Sequence, residues 1–251
     1  MDMHMSEFQK KDLLDYSQPV LVDCYTDEVS TIGLWQSEKN IITRYSQVSD
    51  RILDIGCGAG RIAIGLSYLG YENVMGVDII PEMINRASAL SQTLTYKPLY
   101  FCSNIIDFKA PCTYHLAIFG YNGIMGIKSS TQRLAVMRNI YNLLVDKGIF
   151  IFTTHEDRLL DEKWVAFWRK REEEWKSGNH YEGSDEIGDL IVEDRGCSVY
   201  QYFSTNKEIE TLISHSGFQL MQTMLRSEIC LEPSAVTSAS NDCRFWICLR
   251  V

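Results

Sequence analysis

The stretch RILDIGCGAGR, residues 51–61, constrains the fold more than any other part of the chain. A short apolar run ends at three glycines on alternate positions, Gly56, Gly58 and Gly60, and a second apolar run follows. Glycine lacks a Cβ, so it takes left-handed turns without strain and lets a ligand approach bare backbone. A strand that runs into such a loop and then into a helix places ligands beyond the strand's carboxyl end.

The rhythm around this stretch is one of alternating strands and helices. Residues 51–55, 73–79, 100–103, 114–120 and 149–153 read as strands. Helical patterns fill roughly 31–45, 62–70, 81–90 and 131–144, the third opening on Pro81, where a missing N–H costs nothing. IFIFT (149–153) is apolar without interruption, as suits a strand covered on both faces. The alternation predicts an α/β fold with a mainly parallel sheet and helices on each side. The rhythm breaks after His155. Residues 156–197 are charged and aromatic, with Trp164, Phe167, Trp168, Arg171 and Trp175 near one face of a helix over 160–176 and a loop behind it. A segment of this length is more than a simple connection. A strand follows at 198–204. Thr205 and Glu208 then form a capping box, and two last strands lie at 218–226 and 243–250.

The glycine spacing discriminates between ligands. A dinucleotide fingerprint counted from Gly56 requires glycine at Arg61, and one counted from Gly58 requires it at Ala63. A nicotinamide-dependent oxidoreductase therefore fits poorly. Asp78 ends the second strand, 22 residues after Gly56, where a carboxylate accepts both ribose hydroxyls of an adenosine. A turn or helix-capping residue is its competing reading. Asp54 interrupts an apolar run where an unpaired charge is costly, so it orients the loop or meets a cationic group on the ligand.

DIGCGAG (54–60), with Gly76-Val77-Asp78 and a helix opening Pro81-Glu82-Met83, resembles the class I S-adenosylmethionine-dependent methyltransferases of small-molecule type. The resemblance covers roughly 30–155 and returns over 198–250. It implies a Rossmann-like, doubly wound, seven-stranded and mostly parallel sheet, with a helical lid inserted between strands 5 and 6. The segments are then a pocket-covering 1–29, a cofactor-binding core 30–155, an insertion 156–197, and the rest of the core, 198–251. The implied cofactor is S-adenosylmethionine. Asp54 and the backbone of Gly56 and Gly58 would face its methionine part, Asp78 its ribose, and Ile79 and Ile105 its adenine. Asn104 stands where many members carry an acid, and its amide oxygen can still accept from the adenine amino group. Phe119 and Gly120 would contact the cofactor. Tyr121 and Asn122 would face cofactor or acceptor, a plain glycine-rich turn being the alternative. The chain has Tyr114-His115 where the family often has Phe-Asp, and His115 reads as structural.

Methyl transfer from a sulfonium is a direct displacement that rests on alignment, and a base is needed only where the acceptor must lose a proton. The catalytic candidates are His155, Tyr121 and Asn122. His155 follows a buried strand and has the chemistry of a base at neutral pH, with a structural histidine as the competing reading. Glu156 and Arg158 are weaker candidates, and Tyr16 and Tyr25 enter the pocket only if the N-terminal segment folds over it. The insertion's tryptophans line an acceptor pocket or form its own packing face, packing being favoured.

Composition narrows the partners. A formal charge of -9 argues against nucleic acid and acidic membranes. No apolar run has the length of a bilayer span, and the N-terminus has no signal-peptide core. The eight cysteines form no CxxC pair, so no metal site is expected and buried free thiols are. The expectation is a cytoplasmic enzyme acting on a small molecule. A non-catalytic S-adenosylmethionine-binding protein, or a methyltransferase of protein or RNA, are the alternatives.

Overall fold

The computed structural model describes residues 16–180 and 184–251. Residues 1–15 of the expected cover segment, and 181–183 of the insertion, lie outside the described residues. The strands are β1 (Arg51–Ile55), β2 (Asn73–Asp78), β3 (Leu99–Cys102), β4 (Tyr114–Phe119), β5 (Leu144–His155), β6 (Asp189–Asp194), β7 (Cys197–Tyr202), β8 (Phe218–Leu225) and β9 (Cys243–Arg250). The helices are α1 (Pro19–Thr31), α2 (Gln36–Tyr45), α3 (Arg61–Tyr68), α4 (Pro81–Leu90), α5 (Ser130–Leu143), α6 (Val165–Lys176) and α7 (Asn206–His215), with two short ones, α8 (Arg226–Ile229) and α9 (Ser234–Ala239).

Seven strands pair in the order β3-β2-β1-β4-β5-β9-β8. The first five are parallel, and β9 and β8 are added antiparallel. Side chains two apart along each strand face the same layer. On one face Leu53, Ala117, Phe150 and Trp246 pack with Val136 and Ile140 of α5 and Ile209 of α7. On the other, Ile52, Leu116, Ile151 and Phe245 pack with Trp35, Ile41 of α2 and Leu66 of α3. This is the expected doubly wound α/β sheet. Strand order reverses between β1 and β4, and the crevice at that switch point is where the ligand site of such a sheet belongs.

Several local expectations change. The helix expected over 31–45 begins only at Gln36, because a preceding helix, α1, ends at Thr31 and the chain turns at Gly33 with φ 63°. The strand expected at 198–204 exists as β7 but pairs only with β6, in a separate ribbon. The edge of β5 is taken by β9 from Ile149 to His155, so β7 does not pair with β5. The turn expected at 146–148 is an irregularity within β5, with Lys147 at φ 62°. Cys102 is exposed rather than buried because β3 is the edge strand, whereas Cys57, Cys197, Cys243 and Cys248 are buried free thiols. His115 is structural, its Nδ1 accepting from the Arg51 N–H at 3.0 Å. Among the described residues no helix is long and apolar enough to cross a membrane.

Candidate active site

The glycine loop follows β1 with Gly56, Gly58 and Gly60 at φ 60°, 53° and 92°. A Cβ on Gly56 would stand 2.7 Å from the Phe119 ring, so the close approach of β4 demands glycine there. At Gly58 the nearest side-chain atom to such a Cβ is Met83 Sδ at 4.0 Å, so a side chain would project into the open cradle. The Gly58 N–H donates to Asp78 Oδ2 at 2.8 Å, and the Ile80 N–H donates to Oδ1 at 2.9 Å. One carboxylate thus ties the loop to the end of β2. Burial raises its pKa, and those two N–H groups oppose the rise.

Asp54 closes the same floor from beneath. It is 1% exposed, and its Oδ2 accepts from the Ala63 N–H at 3.1 Å, satisfying one of the free donors of the first turn of α3. Burial pushes its carboxyl up to about 8, against the lowering effect of Arg61. The folded state then holds a proton that the unfolded chain has released. Between about pH 4 and pH 8 folding takes up protons, so this group's contribution to stability falls as pH rises through that window. Asp54→Asn is therefore expected to raise the melting temperature of the unliganded protein at pH 8 by several degrees, the gain shrinking toward pH 4. Thermal melts of both proteins across that range check it, and a gain independent of pH would remove the raised carboxyl as its cause.

The loop opens onto a cavity of about 510 Å³. Its first end is lined by Asp78, Ile79, Met83, Asn104, Ile105 and Phe119, so the expected cofactor residues do come together. Asn104 Oδ1 already accepts from the Ile106 N–H at 3.0 Å, which leaves one lone pair for a ligand.

The second end is built at the mouths of β4 and β5. Tyr121 and Asn122 are left-handed, at φ 52° and 57°, a conformation that costs energy for any residue with a Cβ. The turn is held by the Asn122 N–H, which donates to Thr153 Oγ1 at 2.8 Å, and by Gly123, where a Cβ would stand 2.2 Å from the Phe119 ring. His155 ends β5 and stacks on Phe203, centroids 4.4 Å apart. Its Nε2 lies 3.1 Å from Gln201 Oε1, while Gln201 Nε2 donates to the Tyr16 hydroxyl at 2.7 Å. The Gln201 oxygen is then the acceptor, so Nε2 carries the hydrogen. The lone pair rests on Nδ1, 3.4 Å from Asn122 Nδ2. Burial lowers the pKa of His155, so the ring is neutral between two amides.

Other residues at this end carried no sequence signal. Glu28 of α1 is buried and accepts from the Tyr121 hydroxyl at 3.4 Å and from Arg195. Gln201 and Asp194 come from the ribbon, which lines the cavity with Val192, Glu193, Asp194, Val199 and Gln201. None of the tryptophans lines it. Trp168 is buried, and Trp175 stacks on His180 with centroids 4.1 Å apart, so packing accounts for both. Glu156 and Arg158 are engaged in bidentate pairs with Arg244 and Glu208.

A family model described as a methyltransferase domain matches residues 46–217. A Geobacillus sp. (strain WCH70) protein provisionally named a methyltransferase is 26% identical over 129 residues, 51% of this chain and 52% of that one. The ubiquinone biosynthesis O-methyltransferase of Rickettsia bellii (strain OSU 85-389) is 30% identical over 117 residues, 46% of this chain and 47% of that one. The alignments span about half the length of these two relatives. A solved S-adenosylmethionine-dependent methyltransferase from Methanosarcina mazei shares the fold with a TM-score of 0.66 and 20% identity, over 84% of this chain and 97% of that one. The chain belongs to the methyltransferase-domain family.

Proposed function

We propose that this protein transfers a methyl group from S-adenosylmethionine to a small-molecule acceptor by direct displacement. The observation that carries the proposal is the single cavity that joins the glycine loop and Asp78 at one end to Asn122, His155, Gln201 and Tyr16 at the other. The open cradle at Gly58 and the carboxylate at the end of β2 fit an adenosyl group, and Ile79 and Ile105 offer apolar faces for its base. When bound, the cofactor supplies a methyl group on a sulfonium centre.

The chain's part is to position and enclose. The Gly56 and Gly58 backbone and Asp54 would hold the amino-acid end, and Asp78 the ribose. Asn122 and the neutral His155 would orient the acceptor, the Nδ1 lone pair of His155 accepting from Asn122 Nδ2 and so fixing which way that amide faces. Tyr121, packed 5.2 Å from Trp35, forms the wall between the two ends. Ribbon residues Val192, Glu193, Asp194, Val199 and Gln201 form part of the cavity wall. Their carboxylates, with the acidic balance of the chain, support a small acceptor over RNA.

Calorimetry with S-adenosylmethionine, S-adenosylhomocysteine and NAD tests the reading. Binding of the first two and not the third is expected, followed by label transfer from a methyl-labelled donor into small molecules of a cell extract. Folded protein with no affinity for donor or product would end it.

A further inference from the structure

The acceptor end of the cavity has a charge and a hydrogen-bond polarity of its own. Glu28 is 6% exposed and uses only Oε1 in hydrogen bonds, and Oε2 is buried with no donor among the described residues. Asn122, 7% exposed, holds a buried Oδ1 that also has no donor among the described residues. A buried acceptor left unpaired is costly, so both positions favour a ligand that donates. Glu193 and Asp194 stand along the same wall, Asp194 3.9 Å from Arg195 Nη1, a buried donor that makes no hydrogen bond among the described residues, so one cation already faces three carboxylates there.

The tyrosines complete the environment. Tyr25 donates its hydroxyl hydrogen to Asp194 at 3.2 Å and Tyr121 donates to Glu28, so these side chains have their O–H groups committed to carboxylates. Their rings meet edge to face, with centroids 6.1 Å apart. A cation already uses this setting, for the Arg195 guanidinium lies 4.9 Å from the Tyr25 centroid and pairs with Glu28. The cavity's own cations are committed elsewhere. Arg61 is bidentate to Glu38, and Lys128 pairs with Asp185 at 3.4 Å. A carboxylate acceptor would have to break one of those pairs.

Resting on the methyltransferase reading above, we propose that the acceptor is a small amine, bound as its ammonium ion by Glu28 and Asn122 against the rings of Tyr25 and Tyr121. The carboxyl of Glu28 is held above its ordinary range by burial, which suits it to take the proton that the amine must shed. Transfer then forms the nitrogen–carbon bond from the freed lone pair. The carbon–sulfur bond breaks toward sulfur, and the positive charge moves from sulfur to the methylated nitrogen.

The test is calorimetry on the full chain saturated with S-adenosylhomocysteine, titrated with benzylamine, benzyl alcohol and benzoate. Benzylamine is expected to bind about tenfold more tightly than the alcohol, the worth of one charge-assisted hydrogen bond, with benzoate weakest. Glu28→Gln is expected to erase the amine's advantage. The ranking on the unaltered protein stands as a measurement even if that variant fails to fold. Benzoate binding as tightly as benzylamine, no amine binding at millimolar concentration, or a folded Glu28→Gln protein that keeps the preference would each overturn the proposal. If S-adenosylhomocysteine binds and the amine shows no advantage, only the amine assignment falls. If S-adenosylhomocysteine itself does not bind, the methyltransferase reading falls with it.

Discussion

Asp78→Ala will weaken S-adenosylhomocysteine binding about a hundredfold, with the fold intact. Two contributions add. A carboxylate that accepts two ribose hydroxyls makes two charge-assisted bonds, and losing a pair of this kind costs about 3 kcal/mol. The same carboxylate accepts from the Gly58 and Ile80 N–H groups, so its removal also frees the loop that forms the cradle. The effect on stability runs the other way. Burial raises the Asp78 pKa, so the charged group is held at a cost in the unliganded protein, and its loss there is mild. Asp78→Asn separates the two contributions. Its one oxygen can still accept from a single N–H, while its amide nitrogen must face the other donor, so an affinity between those of the parent and the alanine variant is expected. Calorimetry gives the affinities and a thermal melt gives the stability. An Asp78→Ala protein that bound the product as tightly as the parent would remove Asp78 from the site.

The two halves of the cavity differ in how far they can be read from residues alone, and the reason is distance along the chain. The half proposed for the cofactor is local. Gly56, Gly58 and Asp78 sit on consecutive β-strands and their loops, so one short stretch with its spacing carries the geometry. The acceptor half is assembled from α1, the turn after β4, the end of β5 and the ribbon. Tyr16 and Gln201 are bonded across 185 positions, and Tyr25 and Asp194 across 169. Each is an ordinary residue until the topology brings it to the crevice. Asn122 and His155 were legible as candidates because they follow strands of the main sheet. Glu28 sits in a helix with no distinguishing pattern and was not. The ribbon escaped for a related reason. GNHYEGSDEIGDL (178–190) looks like a loop, and only the antiparallel pairing with β7 shows that a strand begins inside it at Asp189. Arg61 was visible only as a failed glycine. Its positive role depends on Glu38, 23 residues upstream, whose helix had to be placed first.

That pair carries the second large effect. Glu38 is fully buried and bidentate to Arg61, at 2.7 and 2.6 Å, and it also accepts from the Trp35 N–H at 2.9 Å. Arg61 in turn donates to the Gly33 carbonyl at 2.8 Å and lies 4.9 Å from the Trp35 centroid, as Arg226 does. The pair therefore ties the first residue of α3, directly after the glycine loop, to the start of α2. Removing one partner of a buried pair leaves an uncompensated charge and costs about 3–5 kcal/mol. In a chain of this size Glu38→Ala should lower the melting temperature by about 10 °C. It should also weaken S-adenosylhomocysteine binding, because α3 begins where the loop ends. The double variant Glu38→Leu with Arg61→Met tells stability from function. Apolar replacement of a buried pair is often neutral or stabilising, so most of the lost melting temperature should return. The affinity should not return, since the tie between the loop and α2 is absent in both proteins. Melts and calorimetry on the parent, single and double variants decide the matter. Recovery of stability and affinity together would show that the pair supports the fold alone and leaves the loop where it was.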